Sequence, residues 1–299
     1  MKKKWFSALM ISALTLGLAA CGGDNANDNE QGSKTASVGE SVDYKIIGID
    51  PGAGIMKATA TAIEDYGLTD WSLVEGSGAA MTAALKKAYN KEQPIIITGW
   101  TPHWKFSKFD LKYLDDPKGI FGGEENIHTI TRNGLADDHP AAYKFLDQFH
   151  WTADDMASVM VKITDGEDPE KAAQAWVEEN SEKVAKWTDG VQKVDGDKIS
   201  LGYVAWDSEI ASTNVLATVL SDLGYDVTLR QVEAGPMWAG VADGSLDASV
   251  AAWLPVTHAD YSEKFSGKFE DLGTNMEGTK IGLVVPSYME IDSIEDLKK

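Results

Sequence analysis

The chain has 299 residues, an ordinary apolar fraction of 43% and a formal net charge of −20. An acidic surface of this kind repels phosphate backbones and anionic lipid heads, which excludes nucleic-acid binding and broad adhesion to a membrane surface. The single cysteine, Cys21, excludes disulfides, thiol catalysis and cysteine-based metal sites in the body of the chain.

At the N-terminus, Lys2, Lys3 and Lys4 precede an apolar run from Trp5 to Leu18. The run is shorter than the roughly 20 apolar residues a membrane span needs, and fits the hydrophobic region of a secretory signal peptide over residues 1–20. It ends in Leu18-Ala19-Ala20-Cys21, the pattern of a bacterial lipobox, in which Cys21 is lipidated and becomes the new N-terminus. Processing removes three lysines and no acids, so the mature chain is more acidic still. Residues 21–42 are mostly Gly, Asn, Asp, Ser and Gln, too polar to offset their ordering entropy, and read as a flexible tether.

Two stretches then follow one plan. In the first, Tyr44–Asp50 is a strand, Pro51-Gly52-Ala53-Gly54 a turn and Ile55–Tyr66 a helix. Trp71–Val74 is a strand, Ala79–Ala88 a helix and Pro94–Trp100 a buried strand. In the second, Lys198–Ala205 is a strand, Trp206-Asp207-Ser208 a turn and Ile210–Leu223 a helix. Asp226–Val232 is a strand, Gly235–Ala242 a short helix and Ala248–Trp253 a buried strand. Both finish on Trp-x-Pro. Continuous apolar strands alternating with helices predict parallel sheet covered on both faces. The fold class expected is α/β and bilobed, with lobe one at 43–139 plus 288–299 and lobe two at 140–287. One large doubly wound sheet is the alternative. Residues 140–194 read as mostly helical, Thr129–Thr131 as a strand crossing between lobes, and Ile281–Pro286 as a strand. A last helix begins at Ser293. Its matching strand lies near the N-terminus, the arrangement of a circular permutation in which the C-terminal helix packs on lobe one.

Ligands of open α/β sheets bind at the carboxyl ends of strands. There the sequence puts Trp100, Trp206 and Trp253. Indole faces attract cations, and aromatic cages suit quaternary ammonium groups, which offer no N–H donor. The turn into the helix at Gly54 and Ile55 presents free amides suited to an anion, and lacks the Gly-Lys-Ser/Thr of a phosphate loop. His258, five residues past Trp253, offers a further donor. The pattern predicts a zwitterion. Trp71, Trp104, Trp151, Trp176, Trp187 and Trp238 are assigned to packing. No nucleophile elbow, His-Glu-x-x-His or paired-cysteine site occurs, so neither catalytic residues, a cofactor nor a metal is expected. An enzyme acting on betaine or choline, with His103, His258, Asp50 and Asp207 as acid–base groups, is the distant alternative, and a surface adhesin another.

Four segments carry a family resemblance: Gly48–Ile55, Ile97–Trp104, Val204–Glu209 and Ala252–His258. They closely resemble the glycine betaine-binding lipoproteins of Gram-positive ABC-type osmoprotectant importers, and the likeness spans essentially the whole chain. It implies a type II periplasmic-binding-protein-like fold of two Rossmann-like lobes. It implies a trimethylammonium held by Trp100, Trp206 and Trp253, and a carboxylate held by the amides of Gly54 and Ile55 and by His258. The implied partners are an ABC permease with its ATPase, for a monomer anchored by lipid on the extracellular face of the cell membrane. Proline betaine, a sulfonium analogue and carnitine share the cation and stay open as ligands. Choline, lacking the carboxylate, ranks last.

Overall fold

The computed structural model describes residues 37–298. The signal peptide and Cys21 lie outside them.

Among the described residues, nine strands form one continuous sheet whose two halves, each called a sheet below, are joined through a shared strand. The first holds β1 (Lys45–Ile47), β2 (Ser72–Val74), β3 (Ile96–Thr101) and β4 (Leu111–Tyr113). The second holds β5 (Glu125–Arg132), β6 (Lys198–Tyr203), β7 (Asp226–Gln231) and β8 (Ala248–Leu254). The ninth, β9 (Phe269–Pro286), serves both. Its residues 280–286 pair antiparallel with β3 and β4, and its residues 269–279 pair with β5. The two sheets repeat one order. In the first, β2, β1 and β3 run parallel and β9 closes antiparallel; in the second, β7, β6 and β8 run parallel and β5 closes antiparallel. Each antiparallel strand comes from the opposite end of the chain. This reciprocal exchange is the bilobed, type II architecture anticipated from the repeat, and a single doubly wound sheet is not formed.

The sheets are therefore mixed rather than all parallel. The strand at 125–132, placed by sequence in lobe one, pairs with β8, and the end of β9, placed in lobe two, pairs with β3. Pairing partners so distant leave no local trace in the sequence. The helices sit close to expectation: Gly54–Asp65 and Gly78–Tyr89 in the first half, Asp207–Asp222 and Ala234–Asp243 in the second. Apolar residues on their inner faces, such as Ile55, Leu85, Leu216 and Met237, are buried with the strands Ile96-Ile97 and Val250-Ala251. Helices Pro140–Gln148, Ala153–Thr164, Pro169–Glu179 and Ser181–Trp187 fill the link between halves. Thr152 and Asp168 cap two of them through their side chains.

The end of the expected tether departs from its composition. Val38–Ser41 forms one helical turn, closed by a reciprocal capping box between Ser37 and Glu40, and Val38 and Val42 pack on the core. The C-terminal turn Ile294–Lys298 is a 3₁₀ helix. It rests on the first half: Ser293 bridges to Asp115, and the indole N–H of Trp71 donates to the carbonyl of Leu297 at 3.1 Å.

Candidate functional site

The equivalent strands β3 and β8 each carry tryptophan as the penultimate residue, ahead of an X-Pro step, and both sit where the two halves face each other. Trp100 precedes the last residue of β3, Thr101, Trp253 the last of β8, Leu254, and Trp206 precedes the helix Asp207–Asp222. The three rings line one cavity, joined by Ile49, Ala53, Ile55, Thr257 and Ile281. It contains about 270 Å³ of space unfilled by atoms, part of it open to solvent. All three tryptophans are buried.

Each indole nitrogen is held. Trp206 Nε1 donates to Asp50 Oδ2 at 2.8 Å, and Trp253 Nε1 to Glu209 Oε1 at 2.7 Å. Trp100 Nε1 donates to Ser208 Oγ at 3.3 Å, and that hydroxyl donates to Glu209 Oε2. Trp206 and Asp50, like Trp100 and Ser208, come from opposite halves. Burial pushes the Glu209 carboxyl up to about 7, against the hydrogen bonds from Ser208 and Trp253, which pull it down.

The turn 51–54 crosses to the second half at close range. A Cβ on Gly54 would lie 1.9 Å from the carbonyl oxygen of Thr257, so only glycine permits this approach. No side chain caps the helix that starts at Gly54. Of its first-turn amides, that of Met56 donates to the Ala53 carbonyl at 3.0 Å, while those of Gly54 and Ile55 precede the first intrahelical bond, and the helix dipole favours an anion there. Thr257 is fixed in turn by Glu125: its backbone N–H donates to Oε2 at 2.8 Å and its hydroxyl to Oε1. Burial raises the Glu125 carboxyl, and the hydrogen bonds from Thr257 and Val256 oppose the shift.

His258 is fully buried. Its Nδ1 accepts the backbone N–H of Trp253 at 3.1 Å, and its ring stacks 5.9 Å from that of Trp206. Nδ1 is thereby the acceptor, so Nε2 carries the proton, and Nε2 has no hydrogen-bond partner. Burial lowers its pKa to about 3, so the ring is neutral at ordinary pH.

Of the six residues singled out by sequence, Trp100, Trp206, Trp253 and Ile55 line the cavity. Gly54 and His258 do not. Gly54 lies on an adjoining groove with Lys57, Asp260 and Tyr261, and His258 stands behind Trp206. Trp71, Trp151, Trp176, Trp187 and Trp238 are buried away from it.

Several contributors were not assigned to the binding site by sequence. Behind Trp100 lies a polar group of the buried His103, Trp104 and Lys105 with the partly exposed Asp207; His103 and Asp207 had entered only as acid–base groups of the enzyme alternative. Trp104 Nε1 donates to Asp207 Oδ2 at 2.8 Å, and His103 Nε2 lies 3.1 Å from the same oxygen. The Lys105 amine is fully buried, 4.1 Å from the centroid of the Trp100 ring. Burial drives its pKa well below the ordinary lysine value, while Asp207 pulls it back up. Burial also takes His103 down to about 3. Asp207, Ser208 and Glu209 follow Trp206 directly, and that adjacency was the one available signal.

Among the described residues, no group of His, Cys, Asp and Glu could hold a metal ion, and no helix is long and apolar enough to cross a membrane. The fold and this cavity define a bilobed solute-binding protein. The chain belongs to the OpuAC family, the substrate binding domain of the ABC-type glycine betaine transport system, whose pattern matches residues 24–179 and 197–299. It is 56% identical to the glycine betaine/carnitine transport binding protein GbuC of Listeria monocytogenes over 301 residues, 100% of this chain and 99% of that one. Among solved structures it is similar to lactococcal OpuAC in its closed-liganded conformation with glycine betaine, at 50% identity and a TM-score of 0.47 over 48% of this chain and 57% of that one. It is similar also to the glycine/betaine/L-proline-binding protein ProX of Borrelia burgdorferi, at 38% identity and a TM-score of 0.48 over 50% of this chain and 57% of that one. This chain thus spans a little over half the length of either solved relative.

Proposed function

We propose that this protein captures glycine betaine outside the cell and delivers it to an ABC permease for osmoprotectant uptake. The observation that carries the reading is the meeting of three tryptophans, drawn from both halves, in one small apolar cavity beside an uncapped helix start. The trimethylammonium lies among Trp100, Trp206 and Trp253, each ring contributing about 0.5–2 kcal/mol once water is excluded. The carboxylate takes the amides of Gly54 and Ile55 and the Nε2–H of His258. Nε2 is buried with no acceptor in good hydrogen-bonding geometry, although the Ala251 backbone lies near enough to oppose the lowering of the ring's pKa by burial. Binding begins on one lobe, and closure of the other excludes water. The closed shape is what the permease recognises, and its ATPase supplies the energy.

The fourth side of the cavity is Ile49 and Ile281, and the one side-chain hydroxyl on its wall, that of Thr257, is committed to Glu125. Choline lacks the carboxylate that Gly54, Ile55 and His258 would hold, which ranks it below the betaines. The Listeria relative's name includes carnitine, which joins glycine betaine and proline betaine as a candidate.

Residues 1–20 act as a signal peptide, and Cys21 carries the lipid that holds a monomer at the extracellular face of the membrane. The domain division proposed is an anchor and tether at 21–42, lobe one at 43–139 plus 288–299 and lobe two at 140–287, with β5 and β9 exchanged between the lobes. The protein is a carrier and not an enzyme.

Calorimetric titration of the soluble body with glycine betaine, proline betaine, carnitine and choline tests the ligand. Saturable heat is expected with the carboxylate-bearing ligands, and silence with all four defeats the proposal. For the anchor, Cys21→Ala should release the protein from cells into the medium; retention at the membrane would refute lipidation at that residue.

A further inference from the structure

The indole nitrogens around the cavity, with that of Trp104 behind Trp100, follow a pattern that the remote Trp71, Trp151, Trp187 and Trp238 lack. Trp206 and Trp253 donate directly to Asp50 and Glu209, and Trp100 reaches Glu209 through Ser208. The neighbouring Trp104 donates to Asp207. Elsewhere, Trp71 and Trp187 donate to backbone carbonyls, and Trp151 and Trp238 have no acceptor. Packing alone does not require an acidic acceptor, since a carbonyl or no partner serves the remote indoles.

We propose that Asp50 and Glu209 are positioning residues that hold the cavity indoles and polarise them toward binding a fixed cation. A negatively charged acceptor on an indole N–H draws the proton outward and pushes electron density into the ring. The negative potential over the ring face, which attracts a cation, deepens accordingly. Hydrogen bonds polarise one another most where water is excluded, and Glu209 is 1% exposed. The same bonds fix each ring plane. Glu209 serves two rings at once, one through each carboxylate oxygen.

The surrounding charges are compatible. Beside Glu209, Asp207 is a further acid, held below the ordinary carboxylate range against its burial by His103, Trp104 and Lys105. Lys105, over Trp100, would oppose a bound cation if charged, and its burial favours the neutral amine. Near Asp50, the Glu233 carboxyl is raised first by burial and then by the negative charge of Asp50.

The inference rests on reading the cavity as a cation site, and its test separates the two. At about pH 8.5, above the value of about 7 to which burial lifts Glu209, wild-type protein, Glu209→Gln and Asp50→Asn are titrated with glycine betaine and with tetramethylammonium, which carries the cation alone. Near-ultraviolet circular dichroism reports whether the indoles keep their setting. Both variants keep side-chain size and remove charge. The expected result is a loss of fivefold or more in affinity for both probes, with the indole spectrum of the wild type retained. Affinity within twofold of wild type in either folded variant overturns the proposal. A loss that comes with an altered indole spectrum overturns the polarising role, since displaced rings alone would then account for it. If one variant does not fold, the other decides. Wild-type protein that binds tetramethylammonium but not glycine betaine defeats only the betaine reading. Wild-type protein that binds neither defeats both.

Discussion

Gly54 and Thr257 approach so closely that a Cβ on the first would lie 1.9 Å from the carbonyl oxygen of the second. The two residues come from opposite halves, and Thr257 is pinned by Glu125. In Gly54→Ala the halves cannot meet as they do here. Alanine is the better helix former, so the helix that starts at residue 54 should not suffer. Thermal stability without ligand should stay near wild type, while affinity for glycine betaine drops by about tenfold or more, equivalent to about 1.4 kcal/mol. Calorimetry and a melting curve on the same sample check both parts, and unchanged affinity would show that the approach is dispensable.

Trp100, Trp206 and Trp253 face the cavity while His258 stands behind Trp206. Replacing a ring removes apolar contact and cation attraction together, whereas removing the imidazole takes away one donor. Trp100→Ala and Trp253→Ala should therefore weaken glycine betaine binding well beyond His258→Ala. Equal, small effects across the three variants would contradict the cage. Measured by fluorescence or calorimetry, the ranking matters more than any one value.

The Glu209 carboxyl sits at about 7 in the folded chain against an ordinary value of 4.5. The folded state thus holds its proton more tightly than the unfolded state. The associated stability is fully present below pH 4.5 and is lost as pH rises through 7, by an amount on the order of 3 kcal/mol. His103 and His258, both lowered to about 3, act the other way and cost stability as pH falls below 6.5. The difference between wild type and Glu209→Gln cancels the histidines. That difference should move in favour of the variant between pH 4.5 and 8. Melting temperatures of the pair across this range test it, and a flat difference would refute the shift.

Lys57 and Asp260 form an ion pair across the mouth of the groove, with side chains 71% and 64% exposed. Pairs this open are screened by solvent and contribute about 0–1 kcal/mol. Lys57→Ala should change glycine betaine affinity less than fourfold, and the change should vanish in high salt. A larger, salt-independent loss would mean that the pair governs closure.

How much of this was legible in the sequence depended on how local the cause was. Ile96-Ile97 and Val250-Ala251 announce buried strands through their own side chains, and Gly67 and Gly224 stop helices by their positive φ. The tryptophans at the strand ends were visible because the Trp-x-Pro step repeats. The first two-thirds of β9 was not, since Phe269–Thr279 is polar and mostly half-exposed, without clean alternation. The turn at Val38–Ser41 hid in a polar segment because one capping box and two valines suffice to order it. Glu209 and Lys105 read as surface charges by type. Their burial follows from packing between residues more than 40 positions apart, or against a ring turned toward them by the fold.

The exchange of β5 and β9 also bears on how the molecule comes apart. Neither sheet is complete without a strand delivered from the other end of the chain. A half cut out at the middle would lose its antiparallel border and leave a bare edge open to aggregation. Melting should accordingly register as a single cooperative event, with calorimetric and van 't Hoff enthalpies in agreement. Among the described residues, the same two crossings are the only covalent and sheet links shared by both halves in the sheet order, so the closure proposed above would have to hinge on them.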